Sequence, residues 1–211
     1  MARSAARNSP AQTELFAQSH VPDIPGLRYE PTFLTAAEEL ALLGVIRSFA
    51  LKEAQYRQWQ AIRRTVSFGG KYDFSANELL PAEPIPPSLY ELRARAAAWC
   101  GLDALKFNHA LIAEYRPGTQ LGWHRDVPNF EAVVGISLAG AARMRFRPYP
   151  PRGAARRGAF AFDLAPRSIY TLQGPARWQW QHAVSPTKAL RYSITFRTLS
   201  AQKRRGSFTQ R

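Results

Sequence analysis

The sequence predicts a mainly β chain of the α+β class, with two helices ahead of an antiparallel double sheet of the sandwich, jelly-roll or barrel kind. Three observations lead there. Apolar residues recur at helical spacing only as far as Gly101. Seven short β-type runs follow, at 107–115, 132–138, 142–147, 159–164, 168–172, 177–182 and 190–199, separated by Pro/Gly turns. The length of 211 residues allows one compact core, burying roughly 70% of the unfolded surface.

The elements follow in order. Residues 1–25 are polar, hold three prolines and lack periodicity, as a loosely attached tail would. Thr35-Ala36-Ala37-Glu38 has the spacing of a capping box. Leu42, Val45, Ile46 and Phe49 then mark a helix over about 35–50. Arg63 to Gly69 reads as a strand ending at Gly69-Gly70, and 71–87 as a proline-rich loop. Leu89, Leu92, Ala96 and Trp99 share one face of a second helix, over about 88–100, with Gly101 placed to end it.

Composition excludes several classes. With 45% hydrophobic, 12% aromatic and 21% charged residues the chain is not a collagen, a coiled coil or wholly disordered. Its one cysteine, Cys100, excludes an internal disulfide framework and a Cys-rich zinc module. The N-terminus has no continuous apolar stretch, and no segment approaches the ~20 apolar residues of a membrane span. The expectation is therefore a soluble, cytoplasmic protein with no membrane partner. The net charge of +14 is one-sided: residues 141–211 hold fifteen cations and one acid, Asp163, whereas 1–140 balance. Such an excess is the footprint of a nucleic-acid or acidic-surface binder, or of an arginine-rich coding bias, with 24 Arg against 5 Lys. Arg143, Arg145, Arg147, Arg152, Arg156, Arg157, Lys203, Arg204 and Arg205 are the candidate phosphate contacts, the first three alternating onto one strand face.

The chemistry centres on the histidines. His124 and Asp126 stand two apart, so on a strand they face one side and can converge on one ion. His182 ends another predicted strand. Two histidines and one carboxylate, with three positions left open, form the facial triad of non-heme Fe(II) oxygenases; unrelated surface residues are the plain alternative. On the last strand, Arg191, Ser193, Thr195 and Arg197 share a face, and Tyr192, Ile194 and Phe196 the other. The arginine face points either to solvent or into a polar cavity. In a cavity, the two guanidiniums, at most ~20 Å apart along the strand, can lean together on a short dicarboxylate.

Together these residues resemble the AlkB family of Fe(II)/2-oxoglutarate dioxygenases. The matching pieces are Phe107-Asn108, Tyr115-x-Pro-Gly118, His124-x-Asp126, Ile136-Ser137-Leu138, Gly174-x-x-Arg177 before His182, and Arg191-Tyr-Ser-Ile-Thr-Phe-Arg197. Arg63–Tyr72, with Phe68-Gly69, matches the family's substrate lid more loosely. The resemblance implies a double-stranded β-helix (jelly-roll) core over 106–200, a helical and lid part over 26–105, and a basic tail over 201–211. It implies that His124, Asp126 and His182 ligate Fe(II). Arg191 and Tyr115 would hold the distal carboxylate of 2-oxoglutarate, Arg197 would sit near the carboxylate beside the keto group, and Ser193 would help.

The sequence departs from the family at three places. Ala113 stands where many members have an asparagine that contacts the cosubstrate. Val127-Pro128-Asn129 follows the metal motif where repair enzymes often carry acids. Pro166-Arg167-Ser168 replaces a common Gly-Asp pair.

The implied reaction consumes O2 and 2-oxoglutarate, releases succinate and CO2, and hydroxylates an N-methyl group that then falls apart to formaldehyde and the free amine. A methylated pairing edge must leave the base stack first, and the flipped base needs aromatic walls. Phe68, Tyr72 and Trp123 are the candidates; Trp178 and Trp180, two apart and on one strand face with His182, either line the pocket or, the stronger reading, pack the sheet's inner layer. The leading expectation is a demethylase of alkylated DNA or RNA. A second keeps the iron chemistry on a protein or small molecule, and a third is a non-catalytic basic jelly-roll module that binds nucleic acid.

Overall fold

A computed structural model describes residues 21–56, 59–151 and 158–201. The chain runs β1 (Leu27–Glu30), α1 (Ala36–Arg47), β2 (Lys52–Tyr56), β3 (Trp59–Phe68), β4 (Lys71–Asp73), β5 (Glu78–Leu80) and α2 (Tyr90–Cys100). There follow β6 (Phe107–Tyr115), β7 (Leu121–His124), β8 (Phe130–Leu138), β9 (Ala142–Pro148), β10 (Phe160–Leu164), β11 (Ile169–Leu172), α3 (Gly174–Trp178), β12 (Trp180–Val184) and β13 (Arg191–Leu199).

Local chemistry sets both long helices. The Thr35 hydroxyl accepts from the Glu38 N–H while Glu38 reaches back to the Thr35 N–H, a complete capping box on α1. Gly101 closes α2 in the left-handed region at φ 73°.

The strands form a seven-stranded sheet, ordered β1-β11-β8-β13-β6-β3-β2, and a four-stranded sheet, ordered β10-β9-β12-β7. Every pairing is antiparallel, the mainly β jelly roll expected. Five strands escape the sequence pattern: β1, β2, β7 and the two of the β4–β5 hairpin, which lies in the segment read as loop. Residues 177–182 are only partly a strand, because Gly174–Trp178 forms a helical turn before β12.

Two cores hold these layers. Ile46, Leu89, Leu92 and Ala96 of the helical side pack on Ile112, Val134, Ile136, Ile194 and Phe196, the outer face of the larger sheet. Each such side chain contributes about 1.5–3 kcal/mol when fully buried. The second core lies between the sheets and joins Leu27, Val133 and Leu172 to Met144, Phe146, Phe162 and Leu164. Val21 and Ile24 pack with it, so the chain from Val21 on is anchored rather than part of a loose tail. The remainder of that expected tail, the basic tail from 202, and Arg152, Arg156, Arg157, Lys203, Arg204 and Arg205 lie outside the described residues.

The apolar filling does not extend the whole way between the sheets. From Tyr115 and Arg191 to His109 and Arg197, the inner face of β6 and β13 is largely polar, and that end of the interior forms the site. Gly135 lets Tyr170 lie across the floor: a Cβ there would stand 2.4 Å from the Tyr170 ring. Gly69, at φ 74°, passes so near Asn108 that a Cβ would meet its carbonyl oxygen at 1.7 Å.

Candidate active site

Strand pairing builds the centre. His182 of β12 is the register partner of His124 on β7, so both rings leave the same face and their centroids lie 4.2 Å apart. β7 ends at His124, and Asp126 lies in the loop beyond it rather than on the strand. The i, i+2 spacing therefore brings Asp126 back through loop geometry. Two arginines fix that loop. Arg177, 2% exposed, donates from Nη2 to the carbonyls of Asp126 (2.9 Å), Val127 (2.8 Å) and Phe130 (2.9 Å). Arg197 Nε donates to Asp126 Oδ1 at 2.9 Å. His182 Nε2 then stands 3.7 Å from Asp126 Oδ2, and one ligand atom from each of the three residues falls within 4.8 Å of the others.

Protonation suits a divalent cation. His124 donates its Nδ1–H to the Gly122 carbonyl at 2.8 Å, which leaves Nε2 as the ligand atom. Burial, and then the neighbouring His124, push His182 down to about 3, so its ring is neutral. Burial alone would raise Asp126, but Arg197 first, then His182, His124 and Arg177, hold it well below the usual carboxylate range. Two neutral imidazoles and one carboxylate result, the donor set that leaves a metal open to further ligands.

Beside it lies a built anion pocket. Arg191, paired in register with Tyr115, is 2% exposed. Its Nε donates to Ser137 Oγ at 2.9 Å, its guanidinium lies 4.8 Å from the Tyr115 ring centroid, and its Nη1 is buried with no partner. Ser193 hydrogen-bonds the Tyr115 hydroxyl. Arg63 Nη1 donates to that hydroxyl at 3.3 Å, while Arg63 Nε is also buried without a partner. Burial opposes ionisation of Tyr115, yet Arg63 and Arg191 together lower its pKa. A buried cation without an acceptor is costly unless an anion fills the space, so the pocket fits a carboxylate. Ala113 is flanked in register by Thr65 and Ser193, whose side chains are the polar groups bordering the place of the family asparagine.

Two of the expected aromatic walls, Phe68 and Trp123, face away from the metal pocket. Phe68 is buried on the helix side of β3, edge-on to Phe49, and belongs to that core. Trp123 precedes His124 on β7 and so points to the opposite face, under Arg145 and Arg147. Tyr72 lies on β4, hydrogen-bonded to Asn77 and edge-on to Phe74. Trp178 sits in α3 and gives its N–H to Glu131 at 3.0 Å, so it shares no strand face with His182; Trp180 packs edge-on to Phe160.

Four residues near the centre carry no role in the sequence reading. Arg177 appears there only as part of a motif, and Arg63 only as the start of a strand. Tyr170, with its hydroxyl pushed up to about 12 by burial, interacts with Arg191, Asp126 and Tyr115. His109 is 4% exposed, meets Arg197 at 3.5 Å through Nδ1 and hydrogen-bonds the Gly70 backbone. The signal for His109 was register: it lies directly opposite Arg197.

Comparison with known proteins identifies the class. The sequence model of the 2OG-Fe(II) oxygenase superfamily matches residues 26–211, and the chain belongs to that superfamily. As a member of it, the chain is a dioxygenase whose cofactors are Fe(II), 2-oxoglutarate and O2. The chain is 27% identical over 210 residues to a protein of Arabidopsis thaliana named "Alkylated DNA repair protein ALKBH8 homolog", covering 90% of this chain and 58% of that one. It is 28% identical over 111 residues to "Uncharacterized protein L905" of Acanthamoeba polyphaga mimivirus, covering 46% and 51%. The chain thus spans little more than half of these relatives. The solved structure of OsALKBH1 overlays with a TM-score of 0.65 at 18% identity, covering 82% of this chain and 98% of that one, which shows the shared fold. A non-catalytic module is excluded by the class. Among the described residues, no helix is long and apolar enough to cross a membrane.

Proposed function

We propose that this protein oxidatively demethylates alkylated nucleic-acid bases, with His124, Asp126 and His182 holding Fe(II). Arg191 and Tyr115 bind the distal carboxylate of 2-oxoglutarate, with Ser193 steadying the Tyr115 hydroxyl. Arg197 lies beside the metal carboxylate, within reach of the acid end next to the keto group. When bound, the metal and cosubstrate supply an O2-dependent oxidation of a C–H bond, with loss of CO2 and release of succinate. The chain's residues hold the parts in place. Arg177 fixes the loop that carries Asp126, Arg197 aims its carboxylate, and Gly122 sets the His124 tautomer. An N-methyl group oxidised here becomes N-hydroxymethyl and loses formaldehyde.

The observation that carries the reading is the unpartnered Arg191 Nη1 buried against Tyr115, in the same interior as the His-His-Asp trio. The nucleic-acid substrate is supported by the one-sided +14 charge and by the printed name of the Arabidopsis relative. A second substrate class, a protein side chain or small molecule, has one observation in its favour. Glu131, the first acid after the metal motif, is engaged with Trp178 and Ser200 instead of standing free.

Formaldehyde and succinate release decides between them. Oligonucleotides carrying N1-methyladenine or N3-methylcytosine are expected to be turned over, and methylated peptides not. Turnover of the peptides alone would overturn the nucleic-acid reading, and no succinate with any substrate would overturn the site assignment.

A further inference from the structure

The smaller sheet has two unlike faces. On β9, Ala142, Met144 and Phe146 are buried between the sheets, while Arg143, Arg145 and Arg147 alternate outward. Trp123 leaves the same outward face of β7, and the Arg145 and Arg147 guanidiniums lie 5.0 and 4.5 Å from its ring centroid. Arg125, just past β7, stands 3.6 Å from the ring centroid of Tyr149, itself 40% exposed. Four arginines and two aromatic rings are therefore interleaved on one surface. The one acid these strands carry is Asp163, paired with Arg143 at 3.0 Å where both are more than half exposed, so screening leaves that pair weak.

This arrangement has the chemistry of a polyanion site. A guanidinium stacked on an indole is already ordered, so less side-chain entropy is lost when its N–H edge meets a phosphate. Gln181 steadies Arg147, accepting from its Nε at 2.8 Å. The exposed Tyr149 ring and the half-exposed arginine planes suit unstacked bases, which every single strand offers and a duplex hides. Place matters as well. β7 is the edge strand of its sheet, with His124 on its inner side and Trp123 on its outer side. A chain lying on the outer face reaches the metal pocket around that edge.

We propose that the outward face of the smaller sheet is a track for single-stranded nucleic acid leading to the active site, an inference that rests on the nucleic-acid reading above. Phosphates lie along Arg143, Arg145 and Arg147, and bases stack at Tyr149 and on the arginine planes.

The test is fluorescence anisotropy of the full chain with labelled single strands of about 12 nucleotides, a length within the usual single-strand footprint. DNA, RNA and duplex arms are each run at several salt concentrations. The Arg145→Gln/Arg147→Gln pair is expected to lose roughly tenfold or more in affinity at about 0.1 M salt, with the log–log salt slope shallower by about 2. The Arg47→Gln/Arg93→Gln pair removes the same charge from α1 and α2 and is expected to lose far less. Trp123→Leu, with charge unchanged, is expected to weaken binding by freeing both guanidiniums. Melting temperatures confirm that each variant is folded. Equal losses in the two charge pairs, or tighter binding of duplex than of single strand, overturn the track and leave the nucleic-acid reading standing. Wild-type protein that binds no oligonucleotide overturns both.

Discussion

The two faces of β13 show how one strand serves two purposes. Ile194 and Phe196 face the helices, are fully buried and pack in that apolar core. Arg191, Ser193, Thr195 and Arg197 are nearly as buried on the other side, at 2–9% exposed, but face the inter-sheet space. Burial on the first face stabilises the fold. On the second it removes solvent from groups that stay incompletely paired, as Arg191 Nη1 is, which costs stability unless a ligand arrives. Depth therefore does not separate structural from functional residues here; unsatisfied polarity does.

That contrast can be broken by substitution. The largest effect is expected at the metal: Asp126→Ala or His124→Ala should take succinate formation below detection while the protein stays folded. Residual turnover in either would show that the centre lies elsewhere. On the apolar face, Phe196→Ala should lower unfolding free energy by about 3–5 kcal/mol, read from urea titration, without changing 2-oxoglutarate affinity of the folded protein. On the polar face, Arg191→Met should do the reverse. Its 2-oxoglutarate binding should weaken by about 2–5 kcal/mol, read by calorimetry with Mn(II) in place of iron, while apo stability holds or rises. A large stability loss in Arg191→Met would erase the distinction.

Acid sharpens it further. Burial, reinforced by Arg197, pushes His109 down to about 3 from 6.5, so the folded protein keeps this ring neutral where the unfolded chain protonates. Its contribution is complete above 6.5 and is lost as pH falls towards 3, by about 1.4 kcal/mol per pH unit. His182, also near 3, adds the same slope in metal-free protein. His109→Gln should flatten the apo stability profile between pH 6 and 4, roughly by that one-group share. An unchanged profile would place His109 in contact with water.

Much of this was legible in the chain itself. The capping box, the helix-ending Gly101 and the β6 limits follow from local rules, because each depends on residues a few positions apart. The alternation in β13 revealed one apolar and one arginine-bearing face. β7 was missed because four residues, Leu-Gly-Trp-His, are too few to show a period. Phe68 and Trp123 were misplaced because an aromatic residue looks alike in sequence whether it fills a core, as Phe68 does, or underlies arginines, as Trp123 does.

Sequence alone determined the fold class, the charge asymmetry and the short list of residues proposed here to hold a metal and a dicarboxylate, since composition, short-range spacing and motif carry these. Only the tertiary structure decided which groups meet. His124 faces His182 through strand register, Asp126 returns through a loop pinned by Arg177 and Arg197, and Arg63 joins Tyr115 across neighbouring strands. Those contacts depend on pairing between strands far apart in the chain, which no local pattern specifies.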